Sequence, residues 1–190
     1  MVSTEVSIRP AARDDVARIA QVHVVAWQVA YRGCMPDSFL DGLNPDRRAQ
    51  AWSNFLADST GLLLVALQAQ AIVGFVALVH SRDPDALKST GEVAALYVDP
   101  QFWRLGCGAA LLDAAIESAR QRHYEHLTLW VLDSNRRARS FYEARGFVHD
   151  GQKKIDERPG FSLVELRYAL SLVDHLPNDP RQSTFDKSPS

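Results

Sequence analysis

Gly106 and Gly108 stand two residues apart in the run YVDPQFWRLGCGAALLDAA, Tyr97 to Ala115. The apolar run before them stops at a proline, and an Ala- and Leu-rich segment with helical spacing follows. A helix N-terminus carries N–H groups with no intrahelical partner and the positive end of the helix dipole, which together hold phosphate. On that reading Arg104, Leu105, Gly106, Cys107, Gly108 and Ala109 present their amides to an anion. The other reading is steric: small residues let a helix lie close on a sheet. Two glycines alone do not separate the two.

Two familiar nucleotide sites fit less well. No Gly-Lys-Ser/Thr follows the glycines, which excludes an ATP-type phosphate loop. GCGAAL lacks only the third glycine of a dinucleotide fingerprint, and Asp133 ends the next strand about where a ribose-binding acid belongs. That turn, however, comes after four strands and leaves too little chain for a second nucleotide-binding half. An NAD-linked oxidoreductase therefore ranks low. Cys34 and Cys107 lie far apart without metal-ligand spacing, so neither a metal site nor a disulfide framework is expected. Cys107 reads as a small filler in the turn rather than a nucleophile.

The elements that would position the turn follow from periodicity. EVSIRP reads as a short strand. From Asp14, Val16, Ile19, Ala20, His23, Trp27, Ala30 and Tyr31 recur at helical spacing. A second stripe, Val22, Val25 and Val29, predicts that this helix is covered on more than one side. RGCMPDSFLDGLNP is a loop with a helical turn, and PDRRAQAWSNFLAD a helix with proline in its first turn. LLLVAL and AIVGFVALV are strands joined by a tight turn near residues 68–70, EVAALYV is another, and the glycine segment opens a helix to about Arg122. HLTLWVL is a strand, NRRARSFYEAR a helix stopped at Gly146, and FVHDG and FSLVELRYAL close the domain, with residues 153–161 as a loop between them. Strands mixed with helices in this order give an α/β protein with a mixed sheet.

NRRARSFYEARGF repeats nothing seen earlier, yet its Asn, Ala, Phe-Tyr and Gly-Phe fall at fixed offsets along one helix and its cap. Together with VDPQFWRLGCGAALL it resembles the GNAT superfamily of N-acetyltransferases, which transfer acetyl from acetyl-CoA to an amine; the opening SIRPAARDDVARIAQVHVVAWQVAYRG is also similar to many members. The resemblance spans about residues 6–170. It implies a single domain with a mostly antiparallel sheet of about six or seven strands flanked by helices, acetyl-CoA as co-substrate, and direct attack in a ternary complex. In the family the glycine turn cradles the CoA pyrophosphate, which favours the anion reading above. The oxyanion donor falls on the strand before the turn, at Leu96, Tyr97 and Val98, and Asn135 would bond the pantetheine arm as well as cap its helix. Tyr142 would protonate the leaving thiolate; packing on an amphipathic helix is its alternative. Glu92 is the candidate base, or else an exposed strand-end carboxylate; on alternation it shares a face with Ala94, Leu96 and Val98. His80 and His23 are weaker candidates. Trp27 and Tyr31, with residues 35–39 and the 153–161 loop, would wall the acceptor. Trp103 departs from the family, which often has Gln or Arg there, so phosphate binding leans on amides and Arg104, and one of Arg136, Arg137 and Arg139 could meet the 3′-phosphate.

Composition excludes several classes. Hydrophobic residues are 46% and charged residues 23% of the 190, as in a soluble globular protein, and the net charge of −2 argues against nucleic acid or an anionic membrane. No apolar run approaches the roughly 18 residues of a membrane span, and the polar N-terminus lacks a signal-peptide core, so a cytoplasmic protein is expected. Residues 171–190 are rich in Pro, Ser and Asp and read as a flexible tail. The acceptor is expected to be a small-molecule amine or a peptide N-terminus, and a homodimer is one assembly the resemblance allows. A CoA-binding regulatory module without catalysis, and a transferase for another short acyl-CoA, remain as alternatives.

Overall fold

The computed structural model describes residues 5–173, so the tail expected over 171–190 lies outside them beyond Val173, while Ser171 is strand and Leu172 is buried. Seven strands form one sheet: β1 (Val6–Pro10), β2 (Leu62–Gln68), β3 (Ala71–His80), β4 (Thr90–Val98), β5 (His126–Leu132), β6 (Val148–Arg158) and β7 (Phe161–Ser171). Their spatial order is β1-β2-β3-β4-β5-β7-β6, and every neighbouring pair is antiparallel except β4 with β5. The helices are α1 (Val16–Ala30), α2 (Asp37–Asp41), α3 (Pro45–Asp58), α4 (Cys107–Gln121) and α5 (Arg136–Glu143).

Two apolar layers sandwich the sheet. On one face α4 packs Leu111, Leu112, Ala115 and Ala119 against Val73, Val76, Leu78 and Leu129. On the other, Ile19 and Val22 of α1 meet Val65, Phe75 and Ala77, with Trp52 and Phe55 of α3 alongside. The second stripe of α1 is not covered as the spacing predicts: Val22 is buried, whereas Val25 is 38% and Val29 50% exposed.

The last hairpin also departs from expectation. Residues 153–158 are strand, not loop, and β6 pairs with β7 from Val148 to Arg158 across an irregularity between His149 and Lys153. β6 is an edge strand wet on both faces, so its sequence carries lysines and acids instead of an apolar alternation. That composition and the irregularity protect an edge from unwanted pairing.

β4 carries the feature on which the site depends. Its register with β3 shifts between Ala77 and Leu78, so that Ala95 pairs with Ala77 but Val93 with Leu78, leaving Ala94 as the extra residue. The strict alternation expected from Glu92 to Val98 is thereby broken. Val93, Leu96 and Val98 join the α4 face, while Ala94, Ala95 and Tyr97 join the α1 face, so Glu92 does not share a side with Leu96 or Val98.

Candidate active site

β4 and β5 pair only over Thr90–Glu92 with His126–Thr128, and then part. Beyond Glu92 the β5-facing edge of β4 has no strand partner. The gap is a cleft of about 550 Å³ lined by Val93 to Val98 of β4, by Trp130 and Val131 of β5, and by Asn135, Ala138, Phe141 and Tyr142 at α5. Its far end is the glycine turn, with Trp103, Arg104, Gly106, Gly108 and Ala109 on the wall.

The turn is held from behind. Asp99 accepts from the Gln101 amide at 3.2 Å and from Arg18 of α1 at 2.8 Å. The indole N–H of Trp103 donates to the Val98 carbonyl at 2.7 Å. The chain then enters α4 through Gly106, at φ 84°, a conformation costly for any residue with a Cβ. From Arg104 to Ala109 no amide donates to a carbonyl; the first such bond of the helix runs from Ala110 to Gly106 at 3.0 Å. Six consecutive N–H groups thus have no carbonyl partner, and four of their residues, Arg104, Gly106, Gly108 and Ala109, line the end of the cleft. A Cβ on Gly108 would meet only Phe141 and Val98 at 3.7 Å, so the protein's own packing does not demand that glycine.

Two cations stand beside these amides. The Arg137 guanidinium lies over the Trp103 ring, 3.6 Å from its centroid. Burial and the nearby charge of Arg104 both push its pKa down. Neither arginine has a carboxylate partner among the described residues. Arg139 is committed elsewhere, to Asp133 at 2.7 Å and to the Tyr168 hydroxyl at 3.1 Å.

Further along the cleft Asn135 accepts from the Ala138 amide at 3.1 Å, as a helix cap does. Tyr142 is buried against Phe141 and Phe147, and burial raises its phenol well above the ordinary tyrosine value, so it stays protonated. Cys107 is fully buried, and burial raises its thiol as well.

A second cleft, about 510 Å³, opens on the other side of β4. Trp27, Tyr31 and Met35 form one wall, and Lys154, Ile155, Asp156 and Arg158 of β6 another, with Glu92, Arg82, Leu163 and Glu165 between them. Tyr31, Val93, Ala94, Tyr97 and Trp130 line both clefts, so the two meet at the bulge of β4. Burial raises the phenols of Tyr31 and Tyr97. Glu92 is buried, not exposed, and its carboxylate accepts from Arg82 through the backbone N–H at 3.1 Å, Nε at 3.2 Å and Nη2. His80 is exposed at the end of β3 near Tyr124 and lines neither cleft.

Residues 24–147 match the profile of the acetyltransferase (GNAT) family, from α1 through the phenylalanine that follows the α5 cap. The chain belongs to the GNAT family. Among its relatives, an uncharacterised N-acetyltransferase of Archaeoglobus fulgidus is 31% identical over 146 residues, 73% of this chain and 90% of that protein. The uncharacterised N-acetyltransferase YuaI of Bacillus subtilis is 27% identical over 130 residues, 68% of this chain and 73% of its own. In fold, the PaiA N-acetyltransferase of Thermoplasma acidophilum, solved in complex with coenzyme A, superposes with a TM-score of 0.68 at 19% identity, covering 88% of this chain and 99% of that one. This GNAT protein is accordingly an acyltransferase with the seven-stranded sheet of its structural neighbours.

Three features of the two clefts escaped the sequence. Trp103 organises the turn, tethering β4 and carrying Arg137, where its type had suggested only a lost polar contact. Glu165 faces the second cleft from β7, bonded to Lys154 at 3.2 Å. A charged residue inside the apolar strand FSLVELRYAL was the available signal. Arg82 could not be tied to Glu92 from sequence, because the pair closes the β3–β4 connection. Among the described residues no group of three or more His, Cys, Asp or Glu could hold a metal, and no helix is long and apolar enough to cross a membrane.

Proposed function

We propose that this protein is an acetyl-CoA-dependent N-acetyltransferase whose single catalytic domain, about residues 6–170, joins acyl donor and amine in a ternary complex. The observation that carries the reading is the row of six unbonded amides, Arg104 to Ala109, at the end of a cleft that meets a second cleft across β4. The amides and the Arg104 and Arg137 guanidiniums fit a pyrophosphate in charge and in hydrogen-bonding sense. When bound, acetyl-CoA supplies an acetyl group activated as a thioester.

The chain's own residues do the rest. Asn135 orients the pantetheine arm while capping α5. The unpaired edge of β4 at Leu96, Tyr97 and Val98 offers N–H to the carbonyl oxygen. Trp27 and Tyr31 wall the acceptor in the second cleft, where Glu92 takes the proton of its amine once Arg82 yields an oxygen. Tyr142 returns a proton to the departing sulfur: a free thiol titrates near ~8.5, below any tyrosine, so the transfer is downhill. Cys107, protonated and buried, takes no part. The exposed thiol of Cys34 and the unpaired Cys107 suit a reducing compartment, and we place the enzyme in the cytoplasm.

The test is calorimetric titration with acetyl-CoA, CoA and NAD, followed by an amine screen that reads thiol release. One-site binding of both CoA species with none of NAD is expected. Absence of CoA binding overturns the proposal, and binding without thiol release from any amine leaves a binding module in its place.

A further inference from the structure

Trp27 lines the second cleft, and around it buried hydrogen-bond donors lack an acceptor. His23, on α1, is only 7% exposed. Its Nδ1 accepts from the Trp52 indole N–H at 3.2 Å, which leaves the ring proton on Nε2. That Nε2 is buried and has no partner among the described residues. One turn on, Trp27 Nε1 is likewise buried and unpartnered; it lies near the Tyr97 hydroxyl but outside hydrogen-bonding geometry. The two rings are 5.5 Å apart, and His23 stacks on Tyr97 at 4.8 Å.

A charge completes the group. Arg48 reaches over from α3 to the Trp27 ring, 5.3 Å from its centroid. Its half-buried guanidinium has no hydrogen-bond or ion-pair partner among the described residues. Arg158 of β6 stands near enough for its charge to act on Arg48, but Arg158 is itself matched by Asp156 at 2.7 Å. In the cleft Arg82 is matched by Glu92, and Lys154 by Glu165. Arg48 is therefore the cation in this region left without a counter-charge. Buried donors are almost always satisfied, and leaving one bare is costly. Water could serve a lone N–H, but it would not neutralise a guanidinium. A carboxylate does both, with two oxygens to share between a guanidinium and neutral N–H donors.

We propose that Arg48, His23 Nε2 and Trp27 Nε1 bind the carboxylate of the acceptor, which makes the substrate a small amino carboxylate, such as a free amino acid, rather than a simple amine or a peptide N-terminus. The inference rests on the acetyltransferase reading. The amine end then lies toward Glu92 and Glu165, on the side of the cleft where the acids are.

The experiment is calorimetry on the full-length protein saturated with CoA, titrated with the standard amino acids and with their C-terminal amides. At least one free amino acid is expected to bind, with its amide weaker by roughly tenfold or more, the loss of a charge-assisted hydrogen bond. Arg48→Gln should lower the acid to the level of its amide, and Arg48→Lys should restore part of the difference. Both variants should bind CoA as the parent does, which shows that they fold. The inference is overturned if no amino acid binds, if acid and amide bind alike, or if Arg48→Gln preserves the preference. In those cases CoA binding leaves the acetyltransferase reading standing, whereas failure to bind CoA overturns both.

Discussion

The burial of His23 makes a quantitative prediction about acid stability. Burial, reinforced by the charge of Arg48, pushes its imidazole down to about 3 from the ordinary 6.5. The fold thus holds this residue neutral over a range in which the unfolded chain takes up a proton. Stability from His23 is complete above pH 6.5, declines as pH falls through that value, and levels off near pH 3. At pH 5 the unfolded imidazole favours its charged form by a factor of roughly 30 while the folded one is still neutral, which removes about 2 kcal/mol relative to pH 8. Urea unfolding of the parent and of His23→Gln, at pH 8 and pH 5 without amino acids in the buffer, isolates this contribution, because the other histidines titrate alike in both proteins. The stability advantage of the parent over the variant should shrink by about 2 kcal/mol between the two pH values. An advantage unchanged by pH would refute the claim that His23 is buried neutral.

Three further outcomes concern the chemistry. Tyr142→Phe should lower turnover by roughly 100-fold or more in a thiol-release assay while calorimetry shows the acetyl-CoA affinity unchanged; equal turnover would remove Tyr142 from the mechanism. Arg137→Ala should weaken CoA by roughly tenfold and flatten the salt dependence of binding, since a charge leaves the phosphate end; an unaltered salt slope would mean that Arg137 only packs on Trp103. Glu92→Gln should lower kcat by roughly 100-fold with the KM for acetyl-CoA unchanged, whereas a rise confined to the amine's KM would make Glu92 a group that holds ammonium.

What could be read in advance was local. The glycine turn, the Asn135 cap and the Phe141-Tyr142 pair each lie within one helix and its entry, so their spacing survives in the sequence. The bulge in β4 does not: Ala94 and Ala95 are adjacent and alike, and nothing in their side chains marks which one is extra. The same shift put Glu92 on a face that simple alternation could not give. Part of β6 reads as a loop because an edge strand wet on both sides has no apolar signature. The group of His23, Trp27 and Arg48 depends on α3 folding back over α1, an association of residues 25 positions apart in the chain that only packing creates.

The parting of β4 and β5 also bears on how the molecule holds together. β1 to β4 form one antiparallel block and β5 to β7 another, and between them the sheet is continuous over three residue pairs only. The rest of that seam is bridged by α4 and by whatever fills the wedge. A ligand lodged there acts as mortar between two halves, and at a hundred times its dissociation constant it adds about 2.7 kcal/mol to the folded state. If the wedge holds the acyl donor, as proposed above, the stability of the fold rises with its supply, and a protein deprived of it is the one most easily opened along the seam.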